Sequence, residues 1–236
     1  VDFGEPIVVS SGETGYIIRM KHISNEAHEA LITTFEENFG EVEETRFNTI
    51  GPTIGSTMKQ KAIIALGLAL VMIVIYIAFA FRHIPKHTSP WRFGLCAIAA
   101  LVHDVLITLG VFVVLGSVLG VEIDALFVTA LLTIMGFSVH DTIVTFDRVR
   151  ENLKRQKAGE SFEVVANRAV NETLARSINT SISTLFTVAA LFFLGADSIH
   201  YFLLALIVGL IAGTYSSVFT ATPLLVEWHE RKNRKK

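Results

Sequence analysis

The stretch that decides the fold is residues 62–81, AIIALGLALVMIVIYIAFAF, which contains no charged side chain. A helix needs about 20 mainly apolar residues to cross the hydrocarbon core of a bilayer. Because 61 residues precede it, this stretch is not a signal peptide. Four later segments are similarly apolar, with at most one charged side chain each: residues 93–119, 125–146, 178–195 and 201–226. The sequence therefore predicts five membrane helices.

The composition of the whole chain supports this interpretation. Of the 236 residues, 51% are hydrophobic and 18% are charged, and the mean hydropathy is +0.53. A soluble domain carries about 25% charged residues, so these values argue against an ordinary cytosolic globule and exclude a disordered chain. The single cysteine, Cys96, lies within an apolar segment. The sequence therefore offers no disulfide framework and no cysteine-based metal site.

The charges divide the chain into an acidic head and a mildly basic remainder. Residues 1–57 contain ten acidic and three basic side chains, a balance of −7, and the other residues contain twelve and seventeen, a balance of +5. This asymmetry predicts a membrane protein with one soluble domain. We assign that domain to residues 1–57, the membrane bundle to residues 58–226 and a basic tail to residues 227–236.

The head has the pattern of a small α/β domain. Short runs rich in β-branched residues at 6–10 and 15–20 predict two strands, and a third is predicted over 42–50. Ser24 is expected to cap a helix over residues 25–39. Fewer than sixty residues form only a marginal core. We therefore expect part of the domain, and a first membrane helix, to lie upstream of this sequence.

Basic residues predict the orientation in the membrane. Lysine and arginine are enriched in cytosolic loops, and here they concentrate in residues 82–92, 147–177 and 227–236. The two other connections between spans contain only acidic charges. We therefore expect the head outside the cell and the C-terminus in the cytosol, with the basic segments against anionic lipid. Lys59 and Lys61, just before the first span, argue weakly for the opposite orientation.

The long connection over residues 147–177 is predicted to be a cytosolic loop with its own short helices. Gly159 is expected to end the first of them. The second is expected over residues 161–177, with an apolar face turned inward.

Two aspartates lie within predicted spans, and each follows a histidine: Asp104 follows His103 and Asp141 follows His140. Asp104 lies about 16 Å into its span, and Asp141 about 8 Å from the cytosolic end of its own. An aspartate at the bilayer centre costs roughly 2.5–3.5 kcal/mol on insertion scales, so it usually faces the bundle interior and is functional. Arg176 begins the fourth span at the depth of Asp141, and a desolvated carboxylate beside a guanidinium can load and unload a proton. We predict a proton relay of Asp141, Arg176 and Asp104, without a metal or other cofactor.

Small polar residues are expected to support this relay and the packing around it. The supporting residues are His140, Asn179, Thr180 and Ser181. The fourth span also carries a stripe of hydroxyls that is expected to face a helix or a water path: Ser177, Thr180, Ser181, Thr184 and Thr187. Gly209 and Gly213 form a Gly-x-x-x-Gly pattern, which lets two helix backbones approach closely.

Other interpretations of these residues remain open. In the simplest alternative, Asp141 and Arg176 form a structural ion pair that only holds two helices together. A structural role is also an alternative for Asp104, because no cation lies at its depth in the membrane. A metal site is disfavoured because adjacent helical residues point about 100° apart. An intramembrane aspartyl protease is disfavoured because the Gly-x-Gly-Asp signature is absent. We expect neither an enzyme nor a nucleic-acid-binding protein.

Residues 136–152, GFSVHDTIVTFDRVREN, resemble the signature of the SecF family of protein-export membrane subunits. Residues 171–181, NETLARSINTS, are similar to the start of that family's fifth membrane helix. Residues 103–110, HDVLITLG, are similar to its third helix, and residues 50–55, IGPTIG, to the entry into its second. The resemblance covers almost the whole chain.

The resemblance implies a mainly α-helical membrane protein of the bacterial inner membrane, related to the RND superfamily of proton-driven transporters. The five spans would be helices two to six of a six-helix bundle, with a partial external α/β domain before them. The implied partners are SecD, the SecYEG translocon and the exported preprotein. Within this family the proton gradient is used to complete translocation, with Asp141 as the membrane aspartate and Arg176 as its partner.

Several points stay open under this resemblance. His140 stands where many relatives have asparagine, and sodium coupling and a fused SecD chain are both compatible with the sequence. One alternative function is a proton-coupled RND-type exporter of lipids or small molecules, although the head is small for a porter domain. Another is a structural subunit for translocon assembly, in which Asp141 and Arg176 would tolerate neutral substitutions.

Overall fold

The computed structural model describes residues 6–11, 15–20, 22–47, 52–82, 90–121 and 123–233. The chain forms two compact units, Val1–Ile63 and Ile64–Lys236. The division between them falls within a single long helix.

The first unit contains a hairpin and a helix. The strands β1 (Ile7–Ser11) and β2 (Gly15–Arg19) pair antiparallel. Helix α1 (Asn25–Phe39) begins after Ser24, whose hydroxyl accepts a hydrogen bond from the Ala27 amide at 3.3 Å. These two strands and the capped helix confirm the sequence prediction for this part of the head.

The predicted third strand over residues 42–50 is wrong for its described part, because residues 42–47 pair with no strand. They are held by side-chain contacts to α1 instead. His28 Nε2 lies 2.8 Å from Glu44 Oε1, and the His28 ring stacks on Phe47 with centroids 3.7 Å apart. Alternating apolar residues form a strand only where a sheet edge accepts their backbone. Here Glu44 and Phe47 contact His28 of α1, and residues 42–47 pair with no sheet edge.

The second unit is built from long helices, with α2 (Pro52–Ala80) leading into it. The others are α3 (Pro90–Leu119), α4 (Ala125–Lys154), α5 (Phe162–Leu194), α6 (His200–Ser216) and α7 (Thr222–Asn233). A 3₁₀ turn, Asp197–Ile199, precedes α6, and a π-helical turn, Ser217–Ala221, joins α6 to α7. Because α6, the π turn and α7 form one continuous span, the described residues contain five helices able to cross a membrane. This confirms the mainly helical fold with five candidate spans.

The prediction of separate short helices in residues 147–177 is wrong. Helix α4 continues to Lys154, before Gly159, and α5 begins at Phe162, after Ser161 accepts a hydrogen bond from the Val164 amide at 3.3 Å. The non-helical connection is therefore short. The change from apolar to charged residues marks where α4 and α5 leave the apolar environment, but it does not end either helix. Neither α4 nor α5 contains a glycine or proline in its charged part, so both helices continue through it.

Helix α4 and the span that contains α6 form the centre of the bundle. In their most apolar stretches, 50% of the α4 residues and 56% of the residues in the span of α6 are buried, against 6% for α2. One apolar cluster gathers the rings of Phe81, Phe93 and Phe146, with centroids 5.2–6.2 Å apart. The second cluster includes Phe112 and Phe127, whose centroids are 4.5 Å apart. Together these clusters fix the position of α4 among its neighbours.

Candidate functional site

Asp104 on α3 lies where three helices meet, and it is completely buried. Ser138 on α4 and Ser216 at the end of α6 both donate to its Oδ2, at 2.5 Å and 2.7 Å. His103 Nδ1 lies 3.0 Å from its Oδ1. Both carboxylate oxygens are therefore used, and the side chain links α3 to α4 and α6.

This junction depends on a small residue and on an irregular helix. A Cβ at Gly213 would lie 3.1 Å from Ser138 Cβ and 3.6 Å from Asp104 Oδ2, so a larger residue would crowd both groups. Ser216 is the last residue of α6 before the π-helical turn. Such turns occur mostly as single insertions in α-helices, often at functional sites. The sequence prediction missed Ser138 and Ser216, although each is a small polar residue in an apolar segment.

Asp141 lies on the same face of α4 as Ser138, three residues further on, or roughly 4.5 Å along the helix axis. Its side chain is 3% exposed. Ser177 of α5 faces the Asp141 carboxyl. However, neither Asp141 Oδ2 nor Ser177 Oγ, both buried, has a partner in hydrogen-bond geometry. Buried polar groups without partners are uncommon and costly, so this position differs physically from Asp104.

The direct ion pair predicted between Asp141 and Arg176 is absent from the described structure. Arg176 is exposed and lines a cavity of about 590 Å³ between the end of α2 and the facing parts of α4 and α5. The next residue, Ser177, occupies the face of α5 that is turned to Asp141. Because adjacent helical residues point about 100° apart, Arg176 is turned away from that face.

The cavity is polar, and its charges are balanced by ion pairs. Arg148 binds Glu151 and Glu172, both at 2.6 Å, and Asn152 donates to Glu172 at 2.8 Å. The remaining charged side chains of the lining are Asp147, Arg150 and Arg176, and Asp147 pairs with Arg150 at 2.9 Å. Exposed ion pairs of this kind contribute little to stability, because water screens their charges. The network therefore shapes the cavity more than it stabilises the fold.

The predicted supporting residues have different surroundings. His140, Asn179 and Thr180 are exposed in this chain, whereas Ser181 is buried. The hydroxyls of Ser181 and Thr214 lie 2.6 Å apart and join α5 to α6.

The predicted hydroxyl stripe is correct only in part. Thr180, Thr184 and Thr187 are not buried; of these, Thr184 and Thr187 bond backbone carbonyls of α5 itself. The buried hydroxyls of α5 are Thr173, Ser177 and Ser181, spaced four residues apart. Thr173 meets Thr145 of α4 at 3.4 Å. Residues spaced four apart stay on one helix face. The predicted set combined hydroxyls from different faces of α5, so it did not identify the buried face.

Among the described residues, no group of three or more His, Cys, Asp or Glu side chains is placed to hold a metal ion. The polar features of the bundle are instead carboxylates surrounded by hydroxyls, and a cavity lined by ion pairs.

The chain is similar to known proteins along most of its length. Residues 30–231 match the family described as protein export membrane protein SecD/SecF, C-terminal. The chain is 47% identical over 233 residues to the protein translocase subunit SecF of Thermobaculum terrenum, covering 97% of this chain and 72% of that protein. It is 42% identical over 220 residues to the same subunit of Synechocystis sp., covering 92% and 67%.

A solved structure agrees in fold. The crystal structure of SecDF in its super-membrane-facing form superimposes with a TM-score of 0.69 at 33% sequence identity. The match covers 97% of this chain and 30% of the SecDF chain. On the family match and on identities above 40% along most of its length, this chain belongs to the SecD/SecF family of protein-export membrane proteins, as a SecF-type translocase subunit.

Proposed function

We propose that this subunit couples the proton gradient of the bacterial inner membrane to the completion of preprotein export. It would act with SecD beside the SecYEG translocon. Family membership supports the export role, and the similarity to the SecDF structure supports the SecD partnership. Residues 1–57 would lie outside the cell, residues 58–226 within the membrane, and the basic tail over 227–236 in the cytosol. The protein would be a transporter subunit and not an enzyme.

The observation that carries the proton-coupling proposal is the buried, unsatisfied Asp141 carboxyl. Ser177 can accept a hydrogen bond from a protonated Asp141, and its own hydroxyl can donate to an ionised Asp141, so the hydrogen bond itself is available in both states. The two states differ in net charge, because an ionised Asp141 places in the interior a charge that pairs with no cation among the described residues, which is costly. Proton occupancy would therefore decide whether α4 and α5 pack stably at this point.

Arg176 gives the ionised state a second arrangement. In the described structure its guanidinium pairs with no carboxylate, and it lies in the cavity next to the Ser177 position. An ionised Asp141 would attract this cation, which would draw α5 into a different packing. Moving one charge through 100 mV is worth about 2.3 kcal/mol. That energy is comparable with the few kcal/mol that separate two conformations of a protein.

The test is preprotein translocation into inverted membrane vesicles that contain the full-length subunit and SecD. We expect Asp141→Asn to lose the gradient-stimulated part of export and to keep the part that is independent of the gradient. Asparagine has the same shape as aspartate but cannot bind and release a proton at neutral pH. Export is measured with and without a proton gradient, at matched protein levels.

The matched control is Asp147→Asn, two turns along α4. Asp147 is exposed, and its ion pair with Arg150 is on the surface of the cavity. We expect this variant to respond to the gradient as the wild type does. A gradient response in Asp141→Asn equal to that of the wild type would contradict the proposal and favour a scaffold role.

A further inference from the structure

The two buried aspartates of the bundle differ in how their carboxylates are satisfied. Asp104 accepts two hydroxyl donors from other helices and lies within 3.0 Å of a histidine nitrogen. Asp141 has a buried oxygen with no partner. A group that carries protons must change its hydrogen bonds in each cycle, whereas a group with all its bonds made resists change.

We propose that Asp104 is a positioning residue, which ties α4 to α6 through Ser138 and Ser216 and so holds Asp141 where it exchanges its proton. This inference rests on the proposed role of Asp141 as the proton carrier. It separates the functions of two aspartates that the sequence alone places in one relay.

The geometry connects the tie directly to Asp141. Ser138 is one helical turn from Asp141 on the same face of α4, so a shift of Ser138 moves the Asp141 side chain with it. Both hydroxyls donate to the same oxygen, at 2.5 Å and 2.7 Å. A displacement of α4 by about 1 Å away from Asp104 lengthens the Ser138 bond to about 3.5 Å, beyond the usual range of about 2.5–3.0 Å for an O–H···O hydrogen bond. The Ser216 bond, which joins α3 to α6, holds Asp104 on the other side. Asp104 therefore links the position of Asp141 to the position of α6.

The link reaches α6 at its irregular point. Ser216 immediately precedes the π-helical turn, where the helix leaves the regular hydrogen-bond pattern. At Gly213 the backbone of α6 comes close to Ser138. Removal of either hydroxyl would therefore break the path of hydrogen bonds that joins α4 to α6 through Asp104, while the packing of Gly209 against Ile134 remains.

Few charged or titratable groups contact the two aspartates among the described residues. The one that contacts Asp104 is His103 of α3, whose ring in turn stacks on Tyr215 of α6 with centroids 6.4 Å apart. The contacts from α4 and from the end of α6 are hydroxyls. Beside Asp141, His140 of α4 is the adjacent titratable group, and α5 presents the Ser177 hydroxyl. The serine substitutions below change none of these titratable groups.

The experiment follows proton occupancy of each aspartate directly. A hydrophobic carbodiimide, which reacts with protonated carboxyls, is applied across a pH series to the full-length subunit reconstituted with SecD, and the labelled residues are identified by mass spectrometry. In the wild type we expect labelling of Asp141 that rises as the pH falls, and no labelling of Asp104. In Ser138→Ala and in Ser216→Ala, we expect the midpoint of Asp141 labelling to move in a common direction by roughly half a pH unit or more.

Ser217→Ala is the matched control. Ser217 is completely buried beside Ser216, but its hydroxyl donates to the Thr214 carbonyl of its own helix at 3.0 Å. We expect this variant to keep the wild-type midpoint, because it removes a hydroxyl without touching Asp104. A general loosening of the bundle would move the midpoint in all three serine variants and would overturn the inference.

Two other results would also overturn it. Unchanged midpoints in Ser138→Ala and Ser216→Ala would show that the tie does not position Asp141, and the carrier role of Asp141 would stand. Labelling of Asp104 that follows pH would show that Asp104 itself carries protons. If Asp141 of the wild type is not labelled at any pH, the proposed function fails as well, and this result is distinct from the first two.

Discussion

Replacement of Gly209 by leucine is expected to lower the free energy of unfolding of the bundle by about 3 kcal/mol or more. A Cβ at this position of α6 would lie 2.2 Å from Ile134 Cδ1 and 2.7 Å from Ile134 Cγ2 on α4. Ile134 is 1% exposed, so it has no free space to move into. Leucine would therefore force α6 away from α4, and the contacts of both helices would be lost together.

The measurement is unfolding of the purified protein in mixed detergent micelles, followed by circular dichroism. The control is Gly110→Leu on α3, where a Cβ meets nothing within 4 Å, and it should leave the free energy of unfolding nearly unchanged. A double variant, Gly209→Ala with Ile134→Ala, should be more stable than the sum of the two single changes predicts. Equal stabilities of Gly209→Leu and Gly110→Leu would contradict the close approach of α4 and α6.

Replacement of Phe146 by alanine is expected to cost about 3 kcal/mol, near the lower end for a buried aromatic residue. The Phe146 ring is completely buried, with centroid distances of 5.2 Å to Phe93 and 6.2 Å to Phe81. In a bilayer the lipid is as apolar as the core, so loss of packing contributes more than loss of hydrophobic transfer. The cavity would open between α2, α3 and α4.

The same unfolding measurement checks this expectation. Phe193→Ala on α5 is the control, because its side chain is 78% exposed and its removal opens no cavity in this chain. We expect Phe193→Ala to change the free energy of unfolding by less than about 1 kcal/mol. A cost for Phe146→Ala as small as that of the control would show that the three rings do not form a packed cluster.

Both expectations bear on the functional site, because each contact holds α4. Gly209 lets α6 approach α4 one turn before Gly213, which faces Ser138 and Asp104. Phe146 anchors α4 five residues beyond Asp141. On α4, Asp141 thus lies between the packing contacts of Ile134 and Phe146, which restrict the movement of α4 around it.

The burial of Asp104 and Asp141 was predictable because a charge in an apolar segment is stable only inside a bundle. The cap at Ser24 was predictable because a capping serine satisfies amides of the following turn. Ser161, which the sequence placed at the start of a helix, caps α5 in the same way. The C-terminal end of α4 and the start of α5 were not predictable, since a helix does not necessarily end where its residues become polar. The predicted strand over 42–50 is wrong for its described residues, 42–47, because a strand depends on a partner edge that local sequence does not describe.

The roles of particular side chains at the site divide in the same way. The sequence predicted a pair of Arg176 and Asp141 because the two residues lie at the same depth in the membrane. The depth of a residue in the membrane does not specify which face of its helix the side chain occupies. Ser177, the next residue, is the one that faces Asp141. Ser138 and Ser216 escaped notice because a hydroxyl in an apolar segment has many possible partners.

By itself, the sequence determined that this protein has five apolar helices with two interior aspartates, because the thickness and low polarity of a bilayer constrain every spanning segment. Only the tertiary structure decided which groups those aspartates meet. Ser138 and Ser216 reach Asp104 from 34 and 112 residues away along the chain. Such contacts depend on the rotation and spacing of packed helices, and these are set by close approaches such as that of Gly209 to Ile134.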